Sequence, residues 1–411
     1  VSESTILHRR NFLAGTAAGA VSVASSARAQ SPAAEAPKPD PGKPGAKGLP
    51  APLAWKDPNA FIVHSNQTVE TKRGHTGSGV ITPIGRLFIR NNVNPPPDGI
   101  VADRDAWRVE IAGVASPRTL TLAELKRIGL ASVATVLQCS GNGRKYMQDA
   151  LQPGQRISGT PWTVGAAGCV IWSGVPLKAV VDALGGPAGG ARFVTGTGGE
   201  DLPAGLKPKD VIVERSVPIS TLDTVLLAWE MNGEPLPLAH GGPLRMIVPG
   251  YSGVNNIKYV KTVALTEAET DAKIQAASYR MHGVGAKADP AQPSIWEQPV
   301  RSWITAPLEG GPAGRTVVTG VAFGGMNAVA RVEVSTDGGR SWTDAPFVGP
   351  DLGRYAWRQF ALALDLPAGT HVLVSRATDA AGHVQPEDTP PNGGGYSYNG
   401  WRGPAVTVET A

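Results

Sequence analysis

"SVATVLQCSGNGR", residues 132–144, changes character half-way along. Val133, Thr135 and Val136 are β-branched and lead with Leu137 into an apolar run that reads as a buried strand. Ser140, Gly141, Asn142 and Gly143 then make a turn, and Arg144 follows it. Cys139, one of only two cysteines in the chain, therefore stands where a strand breaks into a glycine turn. A sulfur there projects at a sheet edge. The turn lets backbone amides approach negative charge, and Arg144 adds a permanent cation. Such a sulfur suits a metal ligand or a nucleophile. For a lone cysteine the plainer readings are a buried core thiol or half of a disulfide with Cys169.

Outward from this stretch, strands and short helices alternate. "AWRVEIAGV" (106–114) alternates as a half-buried strand. In "TLTLAELKRI" Thr121 is placed to cap a short helix carrying Leu122, Leu125 and Ile128. "VPLKAVVDALGG" reads as an amphipathic helix stopped by Gly185 and Gly186. "TVLLAWEMNGEPLP" runs from an apolar strand or helix into an Asn-Gly turn, and "LRMIVPG" and "IKYVKTVAL" are further strands. No βαβ rhythm and no G-x-G-x-x-G after a strand appears. The expectation is an α+β chain, with a mixed α/β domain over residues 55–300. From Arg301 the texture changes to evenly spaced strands with turn residues between them. This predicts an immunoglobulin-like β-sandwich over 301–411.

The chain has 411 residues, 41% hydrophobic and 18% charged, with 51 glycines and 36 prolines, which favours turns and short strands over long helices. Residues 1–30 read as an export signal. Arg9 and Arg10 precede Phe12 and Leu13, an apolar small-residue stretch follows, and Ala27 to Ala29 offer a cleavage site. The paired arginines fit the twin-arginine route, so the expected location is the periplasm. Residues 31–54, rich in Pro and Ala, read as a linker. Loss of the signal takes the net charge from +4 to about +2. That balance, without a basic run, excludes nucleic-acid binding, and no segment is long and apolar enough for membrane insertion.

A nucleophilic cysteine needs a base. His240, in "LAHGGPLRMIVPG", has the most structured setting of the seven histidines, but no cysteine-hydrolase pattern accompanies it. A single thiolate without companion Cys or His residues is a poor zinc or copper site. It suits a metal whose other ligands come from an organic cofactor.

"VLQCSGNGR" resembles the molybdenum-ligating loop of the sulfite oxidase family. "FIRNN" (88–92) resembles that family's F-x-R-N-H segment, and "MNGEPLPLAHGGPLRMIVPGYSGVNNIKYV" (231–260) resembles its M-N-G…L-P…H-G-x-P-x-R…P-G stretch. The C-terminal sandwich matches the family's dimerisation domain in position. No b-type haem domain lies ahead of the molybdenum domain, which brings the exported bacterial sulfite dehydrogenases nearest.

The resemblance implies molybdenum and molybdopterin as cofactors, with Cys139 as the sole protein ligand of the metal. It implies that Arg90, Arg144 and Tyr279 line the substrate pocket, with Trp162 on its wall. Phe88, Asn92, His240, Arg245, Ser252, Gly253 and Lys258 would hold the pterin and its phosphate. The implied reaction is oxidation of sulfite to sulfate by oxygen-atom transfer. Electrons would pass to a separate c-type cytochrome, and the sandwich would offer a homodimer contact. Arginine's planar fork suits a small oxyanion, and Arg and Lys suit a phosphate.

Two departures from the family stand out. Asn92 replaces a histidine. The stretch "NGGGYSYNGWR" (392–402) has glycines where family members place a further substrate arginine, so Arg354 or Arg402 takes that role or the pocket has one cation fewer. An exported molybdopterin sulfoxide reductase is the near alternative, although such relatives lack the C-terminal sandwich. A different class of reading, a glycan-binding module, comes from "STDGGRSW" (335–342), an Asp-box pattern that occurs once; a plain β-hairpin is the simpler account. Cys169 reads as a buried core thiol, and His282 and His383 carry no partner pattern.

Overall fold

A computed structural model describes residues 48–411. The export segment 1–30 and most of the 31–54 linker lie outside the described residues. Within them the fold is mostly β with few, short helices.

Three sheets build the first part of the chain. A small antiparallel sheet joins Phe61–Ser65, Thr68–Thr71 and Ile89–Arg90. A five-stranded sheet runs in the order Arg118–Thr121, Arg108–Ala112, Thr262–Thr266, Phe193–Thr197, Glu214–Pro218. Its Arg108–Ala112 and Thr262–Thr266 strands are parallel and its other pairs antiparallel, so the sheet is mixed. The second five-stranded sheet holds Ala131–Gln138 beside Ala167–Pro176, then Leu226–Met231, which pairs with both Glu234–Pro235 and Arg245–Ile247. The Asn-Gly stretch resolves as a tight hairpin, Asn232 and Gly233 both at positive φ, as a two-residue primed turn requires.

Local sequence explains the helices. Thr121 caps Leu122–Ile128, its hydroxyl accepting from the Glu124 amide while the Glu124 carboxylate accepts from the Thr121 amide. Leu177–Ala183 ends ahead of Gly185 and Gly186, both left-handed. Each helix lays its apolar face, Leu122 and Leu125 or Val180 and Val181, on the core that includes Val109, Ile111 and Val263.

The C-terminal part is a sandwich of two four-stranded sheets. One holds Arg301–Ala306, Gly314–Phe323, Arg358–Leu366 and Phe347–Val348; the other Thr343–Asp344, Val329–Ser335, Gly369–Asp379 and Val406–Thr410. Ile304, Val318, Val334, Phe360 and Leu373 fill the space between them. The Asp-box stretch is a self-contained turn within this domain. The Asp337 carboxylate accepts from the amides of Arg340 and Ser341 and from the hydroxyls of Ser335 and Ser341, at 2.6–2.9 Å. Those bonds hold it well below the usual carboxylate range. Gly338 and Gly339 supply positive φ, and Trp342 packs edge-on to Trp401. The aspartate is spent on the turn, as the hairpin reading has it.

The two parts meet through a common core. Val136, Val164, Ala167 and Cys169 from the first part pack with Trp303, Val321, Phe323, Ala356 and Trp357 from the second. Across this seam the Val136 amide donates to the Tyr355 carbonyl (2.8 Å) and the Trp357 indole to the Val80 carbonyl (2.7 Å). Cys169 is a free thiol in this core, and burial pushes it up to about 12. Cys139 is also free, so the two cysteines do not form the disulfide that the sequence left open.

Candidate functional site

Strand Ala131–Gln138 delivers Cys139 to the end of its sheet. The Cys139 amide donates to Ala166 (2.9 Å), and its carbonyl accepts from the Asn142 amide (2.9 Å), which closes the turn. Asn142, buried, locks that turn to the sheet: its side-chain amide donates to Gln138 Oε1 and the Val164 carbonyl, and its oxygen accepts from the Ala166 amide. Gly143 takes φ 95° and opens the short helix Arg144–Asp149. Beneath the turn the fully buried Arg301 donates to Gln138 Oε1 (3.1 Å) and to the Asn142 carbonyl (2.9 Å).

Cys139 faces a cleft of about 710 Å³, open solvent at its mouth included. Phe88, Arg90, Asn92, His240, Arg245, Gly253, Lys258 and Tyr279 all line it. Sequence segments far apart in the chain thus converge on one sulfur. Ser252, buried, opens the 3₁₀ turn Gly253–Asn255, whose first residue packs its backbone close to Gln138 and Cys139. Arg144 and Trp162 do not line the cleft. Arg144 lies behind the Gly141 turn and donates to the Thr160 carbonyl (2.8 Å) and the Gly394 carbonyl (3.0 Å). Trp162 is fully buried, edge-on to Phe88 and His64.

The electrostatics of the cleft are one-sided. Lys258 donates to Asn91 Oδ1 (2.6 Å) and the Ala239 carbonyl (2.8 Å). Burial, then the neighbouring Arg245, pull its ammonium well below the ordinary range. Arg245 donates to the His240 carbonyl (2.8 Å), and burial brings it down to about 10. His240 is held well below its ordinary value by burial first and by Lys56 next, so it is neutral. One carboxylate, Glu200, is in the lining. Burial raises it to about 7, and its Oε2 has no partner. The buried Ser140 hydroxyl and Tyr259 phenol at the same cleft also lack partners. Three cations, Arg90, Arg245 and Lys258, against the single Glu200 carboxylate, together with unpaired polar atoms, describe a receptacle for a polar, anionic molecule.

Residues 95–274 match the family described as "Oxidoreductase molybdopterin binding domain", and residues 292–409 the "Mo-co oxidoreductase dimerisation domain". The chain is 33% identical over 326 residues to sulfite oxidase of Gallus gallus, covering 76% of this chain and 69% of that protein. The chain belongs to the sulfite oxidase family. Against the mitochondrial sulfite oxidase of Rattus norvegicus identity is 31% over 348 residues, covering 80% of this chain and 62% of the other. The chain thus spans about two thirds of the length of these sulfite oxidase relatives. It is also 32% identical over 354 residues to an inducible NADH nitrate reductase of Glycine max, covering 79% of this chain and 39% of that one. The crystal structure of the sulfane dehydrogenase SoxCD from Paracoccus pantotrophus superposes with TM-score 0.68 at 24% identity, covering 92% and 96% of the two chains, a likeness of fold.

The residues present fit the molybdopterin of the sulfite oxidase family. Among the described residues no three His, Cys, Asp or Glu side chains converge on a metal position, so Cys139 stands as a single protein sulfur. The buried cations match a phosphate, and the unpaired Glu200, Ser140 and Tyr259 atoms match the polar edges of a pterin. The further arginine that family members place near the C-terminus has no counterpart in this cleft. Arg402 pairs with Glu387 and Asp388 at the surface, and Arg354 bonds the Tyr355 hydroxyl. Tyr396 occupies that region instead, its ring stacked on Tyr279 at 4.9 Å and 20°.

Sequence reading passed over Lys56, Asn91, Glu200 and Arg301. Asn91 was within reach, since it sits inside the quoted "FIRNN". The other three carry no local pattern.

Proposed function

We propose that the protein is a periplasmic sulfite dehydrogenase that oxidises sulfite to sulfate and passes the electrons to a separate c-type cytochrome. The observation that supports this most is the lone Cys139 sulfur opening into a cleft lined by Arg90, Arg245, Lys258 and Tyr279. When bound through Cys139, the molybdenum cofactor supplies oxygen-atom transfer and accepts two electrons. In balance, sulfite and water give sulfate, two protons and two electrons. The chain's own residues do the rest. His240, Arg245 and Lys258 hold the cofactor's anionic end. Arg90 pairs with the substrate oxyanion through its planar fork, at any working pH. Tyr279 offers a phenolic hydrogen bond beside it, and Phe88, backed by Trp162, keeps that wall apolar and dry. Cytochrome reduction needs only a small, wet, transient contact. The dimerisation-domain match supports a homodimer through the C-terminal sandwich, and the paired Arg9 and Arg10 support export.

The test is steady-state reduction of a c-type cytochrome by the molybdenum-loaded protein with sulfite, beside assays of methionine sulfoxide and nitrate reduction. Sulfite-dependent reduction that disappears in Cys139→Ser is the expected result. Reduction of sulfoxide or nitrate without oxidation of sulfite would refute the reading. Sedimentation of the same sample reports the dimer.

A further inference from the structure

Lys56 is a buried charge that the cleft chemistry above leaves unexplained. It lies just ahead of the first strand and is only 2% exposed. Its ammonium stands 2.8 Å from the Ile84 carbonyl, 2.8 Å from the Leu87 carbonyl and 3.1 Å from His240 Nε2. No carboxylate is among these partners, and the rings of Trp55 and Phe61 lie 4.6 and 5.3 Å from its nitrogen.

An ammonium has three N–H groups and no lone pair. Here it meets three acceptor positions. The two carbonyls can only accept, so the third N–H falls to Nε2, which must present a lone pair. A neutral imidazole carries one proton, and that proton is then on Nδ1. The Ile84 carbonyl also lies near the imidazole, and the alternative tautomer carries the proton on Nε2. That arrangement would set an ammonium N–H against an imidazole N–H, donor against donor, and only a neutral amine at Lys56 would relieve it. Among the described residues no hydrogen bond within the protein uses His240 Nδ1, and His240 lines the cleft.

We propose that Lys56 is a positioning residue of the cofactor cleft: its ammonium fixes His240 as the Nδ1–H tautomer and leaves that N–H to donate to an oxygen of the bound cofactor. The proposal rests on the placing of His240 in the cofactor site. It adds a buried cation behind the imidazole, beside Arg245 and Lys258, where an anionic group is to be held. Burial pulls Lys56 down to about 7, so an anion bound nearby also stabilises the charged form that the arrangement requires.

The experiment is long-range proton–nitrogen NMR of cofactor-free protein labelled at histidine, with His240→Asn to assign the signal. Wild type should give the Nδ1–H pattern. Lys56→Met, which keeps an apolar stem of similar length, should move the signal to the Nε2–H pattern. After maturation it should lower molybdenum occupancy about tenfold at limiting cofactor, as loss of an outer partner does in metal sites. Lys56→Arg should keep the wild-type pattern. At pH 6, where Lys56 is charged, an Nε2–H pattern in wild type overturns the proposal without any variant, as does an unchanged pattern in a cooperatively folded Lys56→Met protein. Full molybdenum loading of His240→Asn would instead remove the histidine from the cofactor site and the proposal with it. Failure of sulfite oxidation in a normally loaded wild type would count against the substrate reading alone.

Discussion

Cys139 and Glu200 are opposite kinds of residue in one cleft. Cys139→Ser is expected to keep the fold, with a stability change within about 1 kcal/mol, because the bonds that close its turn belong to the backbone and to Asn142. Molybdenum bound per chain should fall to background by elemental analysis. Glu200 carries a pH signature. Its folded value, about 7, lies above the ordinary 4.5, so the folded state binds the extra proton between those values. The stability it contributes is complete below about pH 4.5 and is lost as pH rises through 7. Denaturant titration of the cofactor-free protein should show this loss, at most about 3 kcal/mol, and Glu200→Gln should remove it. The two residues also differ in legibility. Cys139, His240, Arg245 and Lys258 stand in local patterns that a reader of the sequence can recognise. Lys56 meets His240 across 184 positions and Arg301 meets Gln138 across 163, and no local pattern encodes such pairings.

The turn 139–143 and the 392–397 loop are the elements that shape the site. Gly143 combines φ 95° with a Cβ position already filled by the Tyr398 ring. Gly143→Ala should therefore cost about 3 kcal/mol, from left-handed strain and overpacking together, read as a fall in the unfolding midpoint. The loop comes from the C-terminal domain and is tied across itself by Asn392, which donates to the Tyr396 carbonyl and accepts the Tyr396 amide, each at 2.9 Å. It clasps the first domain: the Gly394 carbonyl takes Arg144, the Gly393 amide donates to the His282 carbonyl, the Ser397 amide donates to the Ser140 carbonyl, and Tyr396 stacks on Tyr279. If the stack aims the Tyr279 phenol, Tyr396→Leu should raise KM for sulfite about tenfold while Tyr396→Phe changes it less than twofold, at similar melting temperatures. Strand and helix placement was legible because apolar alternation, the Thr121 cap and the Gly185–Gly186 stop are local signals. Arg144 stood as a pocket cation because the family resemblance of its loop implied it, whereas its carbonyl partners at 160 and 394 come from elsewhere in the chain.

At the scale of the molecule, the change in strand spacing after Arg301 announced a second β unit, and the two four-stranded sheets follow it. The seam was not legible: Trp303, Trp357 and Cys169 look like ordinary core residues of separate domains, yet they share one core. Described residues 48–411 are accordingly expected to unfold in a single transition, with calorimetric and van't Hoff enthalpies in agreement. Trp357→Ala should cost about 3–5 kcal/mol and lower the stability of both parts together. Separate melting of the two parts would contradict that.

Strand Ala131–Gln138 is a wall of this seam at Val136 and carries the Cys139 sulfur one residue past its end. Damage to the sandwich therefore reaches the Cys139 cleft through three residues of chain. Substitutions there that never touch the cofactor should imitate a defect in cofactor insertion, yielding protein that is made but empty. Backbone amides at 134–137 should in turn exchange with heavy water only when the entire chain opens, and this would reveal the anchorage of Cys139 without any assay of turnover.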